Sequence, residues 1–219
     1  DDLEGPAMAK TIYKDDIRAL VTAARDDAGN KGLQLSVGKA FKAMGGNIAA
    51  TAPYSSAATV DFTALLADIK AKIEQYKITN TTTQIAVYLA SFDECVALFQ
   101  MAATDSVLSS VRWYGGDGTA LSAALTGDTA TANFAIATKY FAPSFGLPAN
   151  LSAKWQPLVD KIKARTGIVP DAFALAAYDA LWVMALSYNS SPYLKPGFEQ
   201  LKAEFPLQAA AYNGTTGST

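Results

Sequence analysis

The sequence predicts an α/β fold built on a doubly wound parallel sheet, on three observations. Short, nearly continuous apolar runs recur along roughly the first two thirds of the chain, as expected for parallel strands covered on both faces. Each run is followed by a longer segment whose apolar residues fall three and four apart, the helical period. Each strand–helix–strand crossover is too long for a hairpin and long enough for a parallel connection.

The elements follow in order. Asp2 to Lys14 predicts a helix with Leu3, Ala7 and Ile12 apolar, and Ile17 to Ala24 predicts the first strand. Arg25 to Gly32 predicts a loop. The next helix carries Leu33, Val37, Phe41 and Met44 and stops at Gly45-Gly46. Asn47 to Ala52 predicts the second strand, and Asp61 can cap a helix striped by Leu65, Leu66, Ile69, Ile73 and Tyr76. Thr83 to Ala90 predicts the third strand, before a helix over Phe92 to Ala103 with Cys95, Leu98, Phe99 and Ala102 on one side. Ser110 to Tyr114 predicts the fourth strand. A Gly115-Gly116-Asp117-Gly118 turn, a short helix and a fifth strand near Phe134 to Thr138 complete the series. Beyond Lys139 to Pro143 the texture changes. Residues 151–166, 171–188 and about 194–204 read as helices separated by Gly167 and Pro170 and by Pro192 and Pro196, with no strand among them.

Composition excludes several function classes. The chain has 219 residues, 18 Lys+Arg against 20 Asp+Glu, no His and one Cys. A net charge of −2 gives no basic footprint for nucleic acid. Without His there is no Ser-His-Asp or Cys-His catalysis and no imidazole-held zinc. A single Cys forms neither an internal disulfide nor a thiolate cage. No GxGxxG or Walker motif is present, so no nucleotide cofactor is expected, and no metal. The most apolar segment, Ala172 to Tyr188, is short for the ~20 residues of a bilayer span. It also carries Asp179 mid-segment, at a cost of about 3 kcal/mol in a bilayer centre. A helix buried inside a globular protein is the expected reading, with Asp179 needing a partner. Cys95 reads as a small buried hydrophobe. Trp113 and Tyr114 point to opposite faces of the sheet. Asn80-Thr81-Thr82 and Asn213-Gly214-Thr215 match glycosylation acceptors, a pattern common by chance.

In doubly wound sheets, ligands bind beyond the carboxyl ends of the strands. Three loops there carry the candidate site residues. The first holds Gly29, in a Gly-containing segment that is no phosphate cradle. In the second, Ser91 either donates to a ligand or caps the next helix, with Phe92 beside it. In the third, Gly116 lets backbone approach a ligand, and Asp117 is an acceptor-only group suited to an ammonium, or else a helix cap.

These motifs, in this order, resemble the type I periplasmic solute-binding proteins of the branched-chain amino acid (Leu/Ile/Val-binding) ABC transporter family. Asp1 to Ala9 resembles the helix that opens the family's second lobe. Ala24 to Leu33 resembles its yrDDaYGkGl loop, and Thr59 to Leu66 its tDFsaqla segment. Tyr114 to Gly118 resembles its fourth-strand turn, Phe173 to Leu181 its yaalaYDAv helix, and Tyr212 to Gly217 a segment near its end. The resemblance implies a two-lobed protein. Residues 1–139 would be the second lobe, 140–143 the hinge crossover, and 144–219 returning helices of an incomplete first lobe. The chain would then be a fragment.

The same resemblance implies capture of an amino acid or similar small molecule between the lobes, without covalent chemistry. An ABC permease would be the partner, and the location periplasmic or extracellular, with or without a membrane anchor. Asp117 falls where the family's ammonium-binding acid stands, and Ser91 and Phe92 fall at the mouth. The loop aromatic usual in the family falls at Gly29, so the contact it provides is absent here. A ligand-sensing receptor ectodomain of the same fold is the alternative, and an α/β enzyme a more distant one. Self-association through helix 172–188 is also expected, since that helix would leave a large apolar face without its sheet. Sedimentation velocity of the 219-residue chain should then show concentration-dependent dimers or larger species, and a clean monomer would contradict this.

Overall fold

A computed structural model describes residues 2–57, 59–147 and 149–217. The chain divides into two compact units, Asp1–Ser144 and Phe145–Thr219. The first is an α/β unit, containing α1 (Glu4–Lys14), β1 (Ala19–Ala24), α2 (Ala28–Ala43), β2 (Asn47–Ala50), α3 (Thr63–Tyr76), β3 (Ile85–Ala90), α4 (Cys95–Ala102), β4 (Arg112–Gly115), α5 (Ala123–Gly127) and α6 (Thr129–Ala137). Its sheet has the order β2-β1-β3-β4, and every pairing is parallel. Every residue of β1 and β3 is buried.

Strand alternation splits the core in two. Val21, Val87 and Trp113 join Ile69, Ile73, Phe99 and Phe134 from α3, α4 and α6 on one face. Leu20, Tyr88 and Tyr114 join Met8, Ile12, Val37 and Phe41 from α1 and α2 on the other. Phe99 stands edge-on to Trp113 and Tyr140 at centroid distances of 5.6 and 5.0 Å, arrangements aromatic quadrupoles favour. Gly45, at φ +91°, ends α2 in the left-handed region that glycine enters without strain.

Four expectations need correction. The fifth strand near Phe134 to Thr138 is helix α6. Asp128 caps it, accepting the Thr131 N–H at 2.8 Å. A strand would place Phe134 and Ile136 on one face. Instead Phe134 is 3% exposed and Ile136 76%, as on opposite sides of a helix. The position beyond β4 is taken by Phe141, which bridges Tyr114 and accepts the Gly115 N–H at 2.8 Å. Second, the loop after β1 is shorter than expected. Asp27 accepts the Asn30 N–H at 2.9 Å and starts α2, so Gly29 lies in the first helical turn. Third, Asp61 is not the cap residue of α3. It accepts the Thr63 N–H at 2.9 Å from one position further out.

The fourth correction lies in the second unit. It contains α7 (Ser152–Thr166), α8 (Ala172–Ser190) and α9 (Phe198–Ala211), with no strand among its described residues. Helix α9 runs past the expected end near residue 204, through Pro206. Helix α8 is covered along one stripe only, Ala172, Leu175, Asp179, Val183 and Ser187. Leu181, Trp182 and Met184 on its other sides are 48–66% exposed. Among the described residues no helix is long and apolar enough to cross a membrane.

Asp179 has the partners its burial demands. Its Oδ1 accepts the Tyr212 hydroxyl at 3.1 Å and the Thr215 N–H at 2.9 Å, and its Oδ2 accepts the Thr216 N–H and hydroxyl, both at 2.7 Å. Burial works against the charge, but the Thr216 and Thr215 hydrogen bonds outweigh it and hold the carboxyl below its ordinary pKa. The folded pKa is depressed. The stabilisation is therefore complete above the ordinary carboxylate value of about 4 and disappears as pH falls through the folded value. Asp179→Ala should cost about 2–3 kcal/mol in denaturation at neutral pH. It should also speed hydrogen exchange at the Thr215 and Thr216 amides, and unchanged exchange there would refute the role.

Candidate functional site

The polar groups gather where β1, β3 and β4 end. After β1, Arg25 extends its guanidinium over the Phe92 ring at 5.3 Å. It pairs with Asp27 at 3.6 Å and Glu94 at 3.7 Å and donates to the Ser56 carbonyl at 3.2 Å. Asp27 is held below the ordinary carboxylate range. Burial opposes its charge, but the Asn30 hydrogen bonds and Arg25 favour it more strongly. After β3, Glu94 Oε1 accepts the Tyr54 hydroxyl at 2.7 Å and the Phe92 N–H at 3.2 Å. Burial, and then Glu94, raise the Tyr54 phenol far above its usual value.

After β4, the Gly116 N–H donates to the Leu89 carbonyl at 3.3 Å. The Asp117 N–H donates to Glu4 Oε1, at the start of α1, at 3.0 Å. Thr119 hydrogen-bonds the Gly116 carbonyl at 3.0 Å and shares a 2.7 Å bond with the Tyr140 hydroxyl.

The candidate residues are thus placed unequally. Phe92 is 44% exposed and Asp117 half-buried, so both present surface. Ser91 is fully buried and its hydroxyl has no hydrogen-bond partner, so it neither opens to the surface nor caps α4. Gly116 is buried, and a Cβ there would lie 3.2 Å from Leu33 Cδ1 and 3.3 Å from the Tyr88 hydroxyl. Gly29 is exposed, with only Asp27 Oδ1 near the space a side chain would take. Gly118 ties the second and third loops together, since a Cβ there would fall 2.6 Å from the Ser91 carbonyl and 2.7 Å from the Phe92 ring.

Sequence reasoning passed over Arg25, Tyr54, Glu94 and Glu4 as site groups. Only the apposition of strand ends brings them in; Glu4 stands 113 positions from its partner. Cys95 is buried. Burial first, then Glu94 and Asp93, push its thiol up to about 12, so it stays protonated and unreactive at neutral pH. Among the described residues no group of His, Cys, Asp and Glu could hold a metal ion. The arrangement offers an exposed ring flanked by a cation, two carboxyl groups and backbone amides, a set suited to holding a small polar molecule.

The four-stranded parallel sheet with helices on both faces belongs to the type I periplasmic-binding-protein fold. Among solved structures, the leucine-binding protein LivK of Thermotoga maritima aligns with a TM-score of 0.66 and 18% identity, over 100% of this chain and 57% of that one. A solute-binding protein of an ABC transporter from R. palustris, in complex with benzoate, aligns with a TM-score of 0.61 and 18% identity, over 98% of this chain and 54% of that one. In sequence, an uncharacterized protein of Methanocaldococcus jannaschii is 26% identical over 188 residues, which is 86% of this chain and 42% of the relative. No family model matches. The chain thus spans about half the length of the proteins it resembles.

The Gly118 contact is open to test. Gly118→Ala should destabilise the protein by about 1–3 kcal/mol, because the Ser91 carbonyl is backbone and cannot turn away. An unchanged urea midpoint would mean the two loops are not in contact.

Proposed function

We propose that this chain is the ligand-binding part of a solute-capture protein, which holds a small amino-acid-like molecule against the carboxyl ends of β1, β3 and β4. The observation that carries this reading is the convergence of Asp117, Phe92, Gly116 and Gly118 at those ends, in a fold shared over the whole chain with ABC transporter substrate-binding proteins. The first unit acts as one lobe and residues 140–143 as the hinge on which a second closes. Asp117 pairs with the ligand's ammonium and Phe92 covers its apolar part. Gly29, lacking a side chain, leaves room for a bulkier ligand. Ser91 supports the Phe92 loop from below. Capture involves no covalent step. Delivery is to an ABC permease, and the compartment is periplasmic or extracellular.

The test is a thermal-shift screen of the full-length protein against amino acids and small carboxylates, with L-leucine and benzoate included. Ligand at a hundredfold excess over Kd adds about 2.7 kcal/mol of stability. Asp117→Asn should weaken amino acid binding about tenfold or more, since it removes a charge-assisted hydrogen bond. An unchanged Kd in that variant would sink the assignment of Asp117.

A further inference from the structure

We infer that the free edge of β2 is a docking groove for an extended, acidic segment of a partner protein, which adds to the sheet as a further strand. β2 stands at the end of the strand order β2-β1-β3-β4, so one of its sides carries no neighbouring strand. The Asn47 and Thr51 N–H groups donate inward, to the Arg18 and Thr22 carbonyls at 2.8 and 2.9 Å. Alternate residues of a parallel strand face the same neighbour, so the Ile48 and Ala50 N–H and C=O groups point away from β1. Gln34 of α2 pins the strand from within, donating to the Thr22 carbonyl at 2.9 Å and the Thr51 carbonyl at 3.3 Å. A groove of about 590 Å³ runs along the edge. Lys39 and Lys42 of α2 stand on one side of it, and Tyr76, at the end of α3 on the opposite face of the sheet, on the other. The groove shares no lining residue with the strand-end site.

The charge of the groove selects the occupant. Lys39 and Lys42 are both exposed, and among the described residues neither forms an ion pair. No described residue lining the groove is acidic. A second copy of this chain is disfavoured there, since edge-to-edge pairing sets its own Lys39 and Lys42 against the first pair. A strand that alternates acidic and apolar residues matches instead. Its side chains point to opposite faces in turn, so the carboxylates meet the lysines on the α2 side while the apolar residues lie toward Tyr76. Main-chain bonds to Ile48 and Ala50 hold such a strand, and the lysines select it.

Amide NMR of the chain titrated with the acetylated peptide Glu-Val-Glu-Val-Glu-Thr, with Lys-Val-Lys-Val-Lys-Thr as control, tests this. The acidic peptide should shift the Ile48 and Ala50 amides saturably and slow their hydrogen exchange. The Asn47 and Thr51 amides, already bonded within the sheet, should move little. Affinity should fall as salt rises. Lys39→Glu and Lys42→Glu together should weaken the acidic peptide about tenfold and admit the basic one instead. Both side chains are exposed, so the fold should survive, and unchanged amide shifts elsewhere check that. Ala50→Pro removes an outward N–H and leaves the bonds to β1 in place, and should weaken the acidic peptide about fivefold. No response to the acidic peptide, an equal response to the basic one, or an unchanged Kd in the doubly charge-reversed chain would overturn the docking groove. Concentration-dependent shifts of the Ile48 and Ala50 amides without peptide would overturn it too, because the edge would then belong to a second copy.

Discussion

Parallel pairing of β1 and β3 at the centre of the sheet is the constraint on which the first unit depends. Both strands are buried along their full length, so their alternate side chains must be satisfied by two separate cores. With both faces covered, water and ligands reach the sheet only at its edges and ends. The parallel direction then brings the loops after β1, β3 and β4 to one end. Groups far apart in the chain, such as Arg25 and Phe92, meet there for that reason.

That end is organised by backbone as much as by side chains. Gly118 runs where no Cβ could fit beside the Ser91 carbonyl, which locks the third loop onto the second. Glu4 reaches the same place from α1 and accepts a backbone N–H, so the first helix helps position a turn formed much later in the chain. Negative charge is concentrated at this point, while Arg25 answers Asp27 and Glu94 on the neighbouring loops. Under the solute-capture proposal, such a surface would select ligands by charge placement and shape.

The second unit follows a different logic. Its longest helix is apolar almost all round, yet the unit covers only one stripe of it. Within that stripe sits Asp179, whose carboxylate gathers the Tyr212, Thr215 and Thr216 donors and fixes the segment after α9. A charge buried on an apolar helix is tolerated because several hydrogen bonds meet it at once.

Taken alone, the sequence determined the strand and helix order through β4, the helical stripes and the all-helical character of the last third. Those follow from periodicity, which is local and leaves its mark within a dozen residues. It also singled out the strand-end loops, with Phe92, Gly116 and Asp117 among their residues. Only the tertiary structure decided the rest. Phe134, Ile136 and Thr138 show a strand-like spacing that packing against Phe99 and Trp113 overrode in favour of a helix. Ser91 looked like a ligand donor or a cap, but its side chain lies fully buried and without a partner. The bond from the Asp117 N–H to Glu4 has no signature in spacing, because it arises when the turn after β4 is brought beside the start of α1.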